Sequence, residues 1–172
     1  MELSKYIACI CEGAAEETII KLLLDADRLQ FTYDHLLERE VLRSRKAKKF
    51  EEQYLRKGFT EKITILRILD SRNENFKLSK AYEHKVKVIN VITAPEIEML
   101  VIFNEGKYSE FKKCRKKPSE FCVSNLGFKN VKSTAFLKEY FSNVEFLVNA
   151  IKEYRRVSDV KRGEYTLADL LN

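Results

Sequence analysis

Acidic side chains follow three apolar runs of this chain, at the point where each run ends. Glu12 and Glu16 follow the first run. Asp70 follows the second run and Glu98 follows the third. If the runs are neighbouring parallel strands, these carboxylates meet at one edge of a sheet. Crowded carboxylates need a compensating cation, and Mg²⁺ or Mn²⁺ prefers such oxygen ligands and can activate water against a phosphodiester.

A purely structural role also explains several of these acids. The helix macrodipole favours acidic side chains in the first turn of a helix, which accounts for Glu16, Glu17 and Glu98 without any function. Acids are also common in loops that follow strands. The spacing alone therefore leaves both interpretations open.

The runs themselves predict strands that alternate with helices. Residues 3–11, 63–69 and 85–92 are rich in apolar and β-branched side chains, as is typical of buried strands. Apolar residues at helical spacing follow at 14–26 and 95–103. This order predicts an α/β fold, with a mainly parallel sheet flanked by helices.

The remaining chain is predicted to be mostly helical. Residues 34–57 are charged and helix-prone, and a short helix is expected at 77–82. Further helices are expected at 107–113, 118–125, 133–142, 144–157 and 165–171. We therefore expect an α/β core over residues 1–104 and a helical extension over 105–172 that packs on the same domain.

Length and charge narrow the classes of protein to which the chain belongs. Its 172 residues suit one domain, and a net charge of +6 with 45% hydrophobic residues favours a packed core and anionic partners. No apolar run approaches the roughly 18–20 residues of a membrane span, so no membrane partner is expected. The N-terminus lacks the pattern of a signal peptide, which predicts a cytoplasmic location.

Two basic clusters could bind nucleic acid. The denser one comprises Lys112, Lys113, Arg115, Lys116 and Lys117. The second comprises Lys46, Lys48 and Lys49. Such residues neutralise phosphates without reading the base sequence. Solvated helix faces have the same composition, and that alternative stays open.

The four cysteines favour structure over metal binding. Cys9 and Cys11 alternate along the first predicted strand, so they share one face as buried, reduced thiols. Cys114 and Cys122 lie eight residues apart and have no supporting histidine pattern, so a zinc site is not expected.

The acidic motifs together resemble those of a known family. Residues 10–17 read Ile-Cys-Glu-Gly-Ala-Ala-Glu-Glu, between a predicted strand and an apolar helix, and resemble the first motif of TOPRIM domains. They are most similar to the OLD-family and RloB-like branches. Asp70 stands where those families carry Asp-x-Asp, and residues 94–100 look like the later Pro-x-x-Glu segment of RloB-type proteins. The resemblance covers roughly residues 3–104.

The resemblance implies a Mg²⁺- or Mn²⁺-dependent nuclease that acts on DNA or RNA, working with a partner ATPase in defence against phage. By the same resemblance, Glu12 is a metal ligand or general acid–base group, and Asp70 is a metal ligand. Glu98 matches the glutamate of the later segment. Gly13 would let the backbone approach a phosphate. A homodimer is left open.

One residue departs from the family pattern. Arg72 stands where the second aspartate of Asp-x-Asp is expected, and a cation there weakens a metal site. Glu74 or Glu16 could supply the missing carboxylate, or Arg72 could bind phosphate without cleavage. A catalytically silent module that binds a protein or nucleic acid is therefore the alternative to a nuclease. A small phosphotransferase is less favoured, since no Gly-rich phosphate loop is present.

Overall fold

Three parallel strands form the centre of the fold, in the order β1 (Tyr6–Cys11), β2 (Ile63–Leu69) and β3 (Val86–Ile92). The computed structural model describes residues 1–56, 61–72, 75–161 and 163–172. Cys11 pairs with Ile68 of β2, so β1 and β2 end at nearly the same level. The carboxyl ends of all three strands therefore lie along one edge of the sheet, as predicted.

Helices cover both faces of this sheet, most of them on one face, and the protein is of the α/β class. The described α-helices are α1 (Ala14–Asp25), α2 (Ala47–Phe50), α3 (Glu96–Asn104), α4 (Tyr108–Lys113), α5 (Pro118–Ser124), α6 (Thr134–Tyr140) and α7 (Val144–Val157). The main core joins that sheet face to α1, α3 and α5–α7, so residues after Asn104 share a hydrophobic core with the strands.

The two sheet faces follow the alternation of the strand side chains. Cys9 and Cys11 of β1 point into the main core, as expected from their spacing. Ala8 and Ile10 point the other way, into a smaller core that is completed by α2 and by the turn Glu51–Leu55. β2 is buried along its whole length because both faces are covered.

The largest departure from the predicted elements is in residues 34–57. Leu36 and Leu42 instead form isolated parallel bridges beside β1, and the backbone between them has positive φ at Glu38 and Arg39. The described residues of this segment form only short helical pieces: the 3₁₀ turns Tyr33–His35 and Leu37–Arg39, the α2 turn and the π-helical residues Glu51–Leu55. Part of this segment pairs with the edge of β1, which would otherwise be exposed. This pairing overrides the helix propensity of the segment.

Smaller differences have similar tertiary causes. The strand begins at Tyr6 rather than at residue 3, because the Ser4 N–H donates to the Thr64 hydroxyl at 2.9 Å. The helix expected at 77–82 is absent: residues 77–79 have no regular structure and 80–82 form a turn. At the C-terminus, the Ile92 N–H donates to the Tyr165 carbonyl at 2.8 Å, so only Leu167–Leu170 forms a 3₁₀ turn.

Within the described residues, no helix has both the length and the apolar character that crossing a bilayer requires.

Candidate functional site

Glu12 and Asp70 are brought together by the pairing of β1 with β2. The Glu12 N–H donates to the Ile68 carbonyl at 3.0 Å, which continues the strand pairing one residue past Cys11. The Glu12 Oε2 atom then accepts a hydrogen bond from the Asp70 N–H at 2.7 Å. The side chain at one strand end is therefore fixed to the backbone at the next.

Glu98 joins them from the end of β3. The Thr93 N–H and hydroxyl both donate to the Leu69 carbonyl, at 2.7 and 3.0 Å, which ties the start of the β3–α3 connection to β2. Thr93 therefore does not cap α3, whose N-cap position is Pro95. Glu98, in the first turn of α3, is buried with 9% of its surface exposed.

Lys132 provides the cation of this group, and sequence reasoning missed it. Its Nζ lies 2.8 Å from Asp70 Oδ2 and 3.8 Å from Glu98 Oε2. It lies in the loop between α5 and α6, 62 positions after Asp70 in the chain. Burial by itself lowers the pKa of Lys132, but the hydrogen bond to Asp70 and the negative charge of Glu98 raise it above its usual value. The ammonium is therefore charged at neutral pH.

Glu16 is the most deeply buried acid of the group, with 3% of its surface exposed. Its Oε1 atom is buried and has no hydrogen-bond partner among the described residues. Burial raises the pKa of Glu16, its own backbone N–H opposes that rise, and the negative charges of Asp70 and Glu12 add to it. Part of the Glu16 population is therefore protonated at a pH where an exposed glutamate is ionised.

Gly13 makes room for the Glu16 carboxyl group. A Cβ atom at Gly13 would lie only 2.6 Å from Glu16 Oε2. The φ angle of Gly13 is −132°, which any residue can adopt, so the requirement for glycine is spatial. Glycine after Glu12 therefore has a structural explanation. The other role expected of Gly13, close approach to a phosphate, stays a prediction.

Replacing Glu16 by glutamine is expected to stabilise the protein at neutral pH by about 1 kcal/mol, since a buried carboxylate with an unpaired oxygen is costly. The pKa of Glu16 is higher in the folded state, so its unfavourable contribution grows as pH rises above the ordinary glutamate value of 4.5. Urea unfolding of wild type and Glu16→Gln at several pH values measures this. A stability difference that stays constant from acid to neutral pH contradicts it.

Arg72 does not enter the acidic group. Its guanidinium forms a forked ion pair with Glu164, from Nε to Oε1 at 3.0 Å and from the second nitrogen to Oε2 at 3.4 Å. Arg72 therefore does not neutralise Glu12, and Lys132 is the cation that compensates the acids. Glu74, the predicted substitute ligand, lies outside the described residues.

Two further arginines lie at the rim of the site and were also missed. Arg43 pairs with Glu17 in the first turn of α1, and Arg45 donates to the backbone carbonyl of Glu12. Both precede α2 in the segment whose helical character was wrongly predicted. The pairing of Leu42 with Ile10 of β1, which brings the two arginines to this rim, is a tertiary feature that no local pattern indicates.

The two predicted basic clusters lie on exposed surfaces. One cluster is exposed at the end of α4 and in the connection to α5, and comprises Lys112, Lys113, Arg115, Lys116 and Lys117. Lys116 reaches back to Ser124 and Asn125 at 2.8 and 2.7 Å. Lys46, Lys48 and Lys49 are exposed at and within α2. Contact of either cluster with nucleic acid stays a prediction.

The donor chemistry of the acidic group suits a hard divalent cation. Every candidate ligand is a carboxylate, and two buried oxygens, Glu16 Oε1 and Glu98 Oε2, accept no hydrogen bond from the described residues. In the arrangement present, however, no three acidic, histidine or cysteine side chains of the described residues are placed to hold a metal ion. The Lys132 ammonium lies among the acids in this arrangement.

Comparisons with protein-family models, with curated proteins and with solved structures found no match to this chain.

Proposed function

We propose that this protein is a metal-dependent nuclease of TOPRIM type that cleaves phosphodiester bonds of DNA or RNA. One observation carries the proposal: acids that follow three neighbouring parallel strands lie at one edge of the sheet, and two of the group, Glu16 and Glu98, are buried. By the resemblance, Glu12, Asp70 and Glu98 match the acids of the TOPRIM motifs. Structural stability alone does not favour such a concentration of carboxylates, since burying them costs free energy.

The carboxylates have separate roles in this proposal. Glu12, Asp70 and Glu16 would hold a Mg²⁺ or Mn²⁺ ion once the Lys132 ammonium gives way, and the ion would lower the pKa of water and stabilise phosphodiester charge. Glu12 also accepts a proton from the attacking water or returns one to the leaving oxygen. Glu98 orients Lys132. The Lys132 ammonium supports negative charge that develops on the phosphate.

The wider setting follows from the resemblance and from surface charge. The exposed basic clusters are suited to contacts with phosphate along a nucleic-acid strand, independent of base sequence. The TOPRIM resemblance supports action with a partner ATPase, in defence against phage. A cytoplasmic location and assembly as a homodimer are further parts of the proposal.

Cleavage by the purified protein is the direct test. Labelled single-stranded and duplex DNA and RNA are incubated with Mg²⁺ or Mn²⁺, and with EDTA as the control. We expect products that depend on the divalent ion and are absent with EDTA. The proposal is abandoned if none of these substrates is cut with either ion.

A catalytically silent module that binds a protein partner or nucleic acid is the second candidate function. It is favoured by the position of Lys132, whose ammonium already compensates Asp70 and Glu98. Calorimetric titration with Mn²⁺ separates the two functions. A nuclease site binds the ion, whereas a site permanently neutralised by lysine does not.

A further inference from the structure

We infer that Arg43 and Arg45 bind two backbone phosphates of the nucleic acid and lead it into the carboxylate site, which we define as Glu12, Glu16, Asp70, Glu98 and Lys132. The inference rests on the proposed function and names how the substrate would enter. It concerns positioning of the substrate, since neither arginine belongs to the group of acids.

The segment that carries both arginines is aligned by β1. The Leu42 N–H donates to the Cys9 carbonyl at 2.8 Å, and the Cys11 N–H donates to the Leu42 carbonyl at 3.0 Å. Leu42 thus pairs in parallel with Ile10. The chain that leaves Leu42 therefore runs toward the carboxyl edge of the sheet, where the carboxylate site lies.

Both arginine side chains lie on the exposed side of the segment that follows Leu42. Arg43 and Arg45 are exposed, whereas the Oγ atom of Ser44 between them is buried. The Cα atoms of two residues separated by one position lie at most about 7 Å apart. Two neighbouring phosphates of one strand can therefore be contacted together.

The contacts of the arginines hold them against the turn between β1 and α1. Arg45 donates to the Glu12 carbonyl, so its guanidinium is bound to the backbone of a proposed metal ligand. Arg43 donates to Glu17, which also binds Lys21 at 2.7 Å. A guanidinium carries five N–H donors, so each arginine keeps donors for phosphate while anchored.

The residues that follow Arg45 extend this positively charged surface. Residues 43–49 read Arg-Ser-Arg-Lys-Ala-Lys-Lys, with five cations and no acid. All five cations are exposed, and we call them the basic strip: Arg43, Arg45, Lys46, Lys48 and Lys49. One end of the basic strip touches Glu12 and the other lies on α2. A nucleic-acid strand bound along the basic strip is therefore directed to the carboxylate site. In the cluster at 112–117, by contrast, Lys116 contacts residues at the end of α5.

The test compares nucleic-acid binding by the double variant Arg43→Gln/Arg45→Gln with that of wild type. Fluorescence anisotropy of labelled single-stranded and duplex oligonucleotides is measured in EDTA, so that cleavage does not interfere. We expect about tenfold weaker binding at low salt, from the loss of two phosphate contacts. The plot of log K against log salt should become shallower by about 1.8 for duplex or about 1.4 for single strands.

Arg56→Gln is the matched control. Arg56 is exposed and pairs with Glu52 at 3.8 Å, much as Arg43 pairs with Glu17, but it lies by Ile63 at the amino edge of the sheet. This variant should bind as wild type does. The variant Arg43→Lys/Arg45→Lys keeps both charges and should retain most of the salt dependence of binding. If it binds and the glutamine variant does not, the loss is due to charge and not to misfolding.

The outcomes distinguish this inference from the proposed function. Where wild type cleaves, the glutamine double variant should raise KM with little change in kcat, because the carboxylate site is intact. Equal affinity and equal salt dependence in the double variant and Arg56→Gln overturn the inference while leaving a cleaving wild type unaffected. Wild type that binds no oligonucleotide in EDTA also overturns it. Reduced binding by the double variant supports it even if no cleavage is found.

Discussion

Replacing Glu12 by glutamine is expected to reduce metal-dependent cleavage by at least about 100-fold while the protein stays folded. Glutamine keeps an oxygen that can accept the Asp70 N–H, which Glu12 accepts at 2.7 Å, so the connection between the ends of β1 and β2 is preserved. The lost charge removes a metal ligand and a proton acceptor together. Initial cleavage rates with Mg²⁺ and with Mn²⁺ measure the effect.

Glu61→Gln serves as the control for Glu12→Gln. Glu61 is an exposed acid beside Ile63, at the opposite, amino edge of the sheet. It should leave the rate unchanged. A Glu12→Gln variant with the wild-type rate would remove Glu12 from the mechanism, and equal melting temperatures for the three proteins would show that lost cleavage is not lost folding.

Replacing Lys132 by methionine is expected to destabilise the protein by roughly 2 kcal/mol at pH 8, between the values typical of exposed and buried ion pairs. Its pKa is raised in the folded state, so the favourable contribution of Lys132 is fully present below the ordinary lysine value of 10.5 and is lost as pH rises through the higher folded value. Without the ammonium, the carboxylates of Asp70 and Glu98 face each other uncompensated. Urea unfolding measures the free energy.

The same variant should respond to a divalent cation. Mn²⁺ can compensate the carboxylates in place of the lost ammonium, so it should raise the melting temperature of Lys132→Met more than that of wild type. Lys129→Met is the matched control, because Lys129 is exposed in the same loop between α5 and α6. Equal stability of the two lysine variants would show that Lys132 does not hold the acids together. Equal responses of Lys132→Met and wild type to Mn²⁺ would contradict competition between the ion and the ammonium.

Local patterns predicted the strands and the acids that follow them. The run at 63–69 is buried on both faces and appears as β2 with those bounds, because β-branched and apolar residues in unbroken sequence suit a strand covered on both sides. A parallel arrangement then requires that acids which follow the strands share an edge. Glu12 and Asp70 lie together for this reason. Glu98 lies at the same edge because α3 begins shortly after β3 ends.

Local propensity failed where an edge of the sheet needed a partner. Residues 34–57 have the composition of a charged helix, but hydrogen bonds from Leu42 to β1 hold part of that segment extended. Positive φ angles at Glu38 and Arg39 fit the backbone to this path. Helix propensity is worth a few tenths of a kcal/mol per residue, which tertiary hydrogen bonds and burial readily exceed.

Local sequence patterns were sufficient to predict the α/β class, the order of the strands along the chain and the edge at which the acids collect. Each of these depends on contacts between neighbours in sequence or on one geometric rule for parallel strands. Which cations face the acids depends on the packing of distant segments. Lys132 arrives from a loop 62 positions beyond Asp70, and Arg72 is turned to Glu164, 92 positions away. Charged residues so far apart in the chain meet only when the whole fold packs. Screening in water makes their attraction negligible in the unfolded chain, so nothing in the nearby sequence indicates that they will pair.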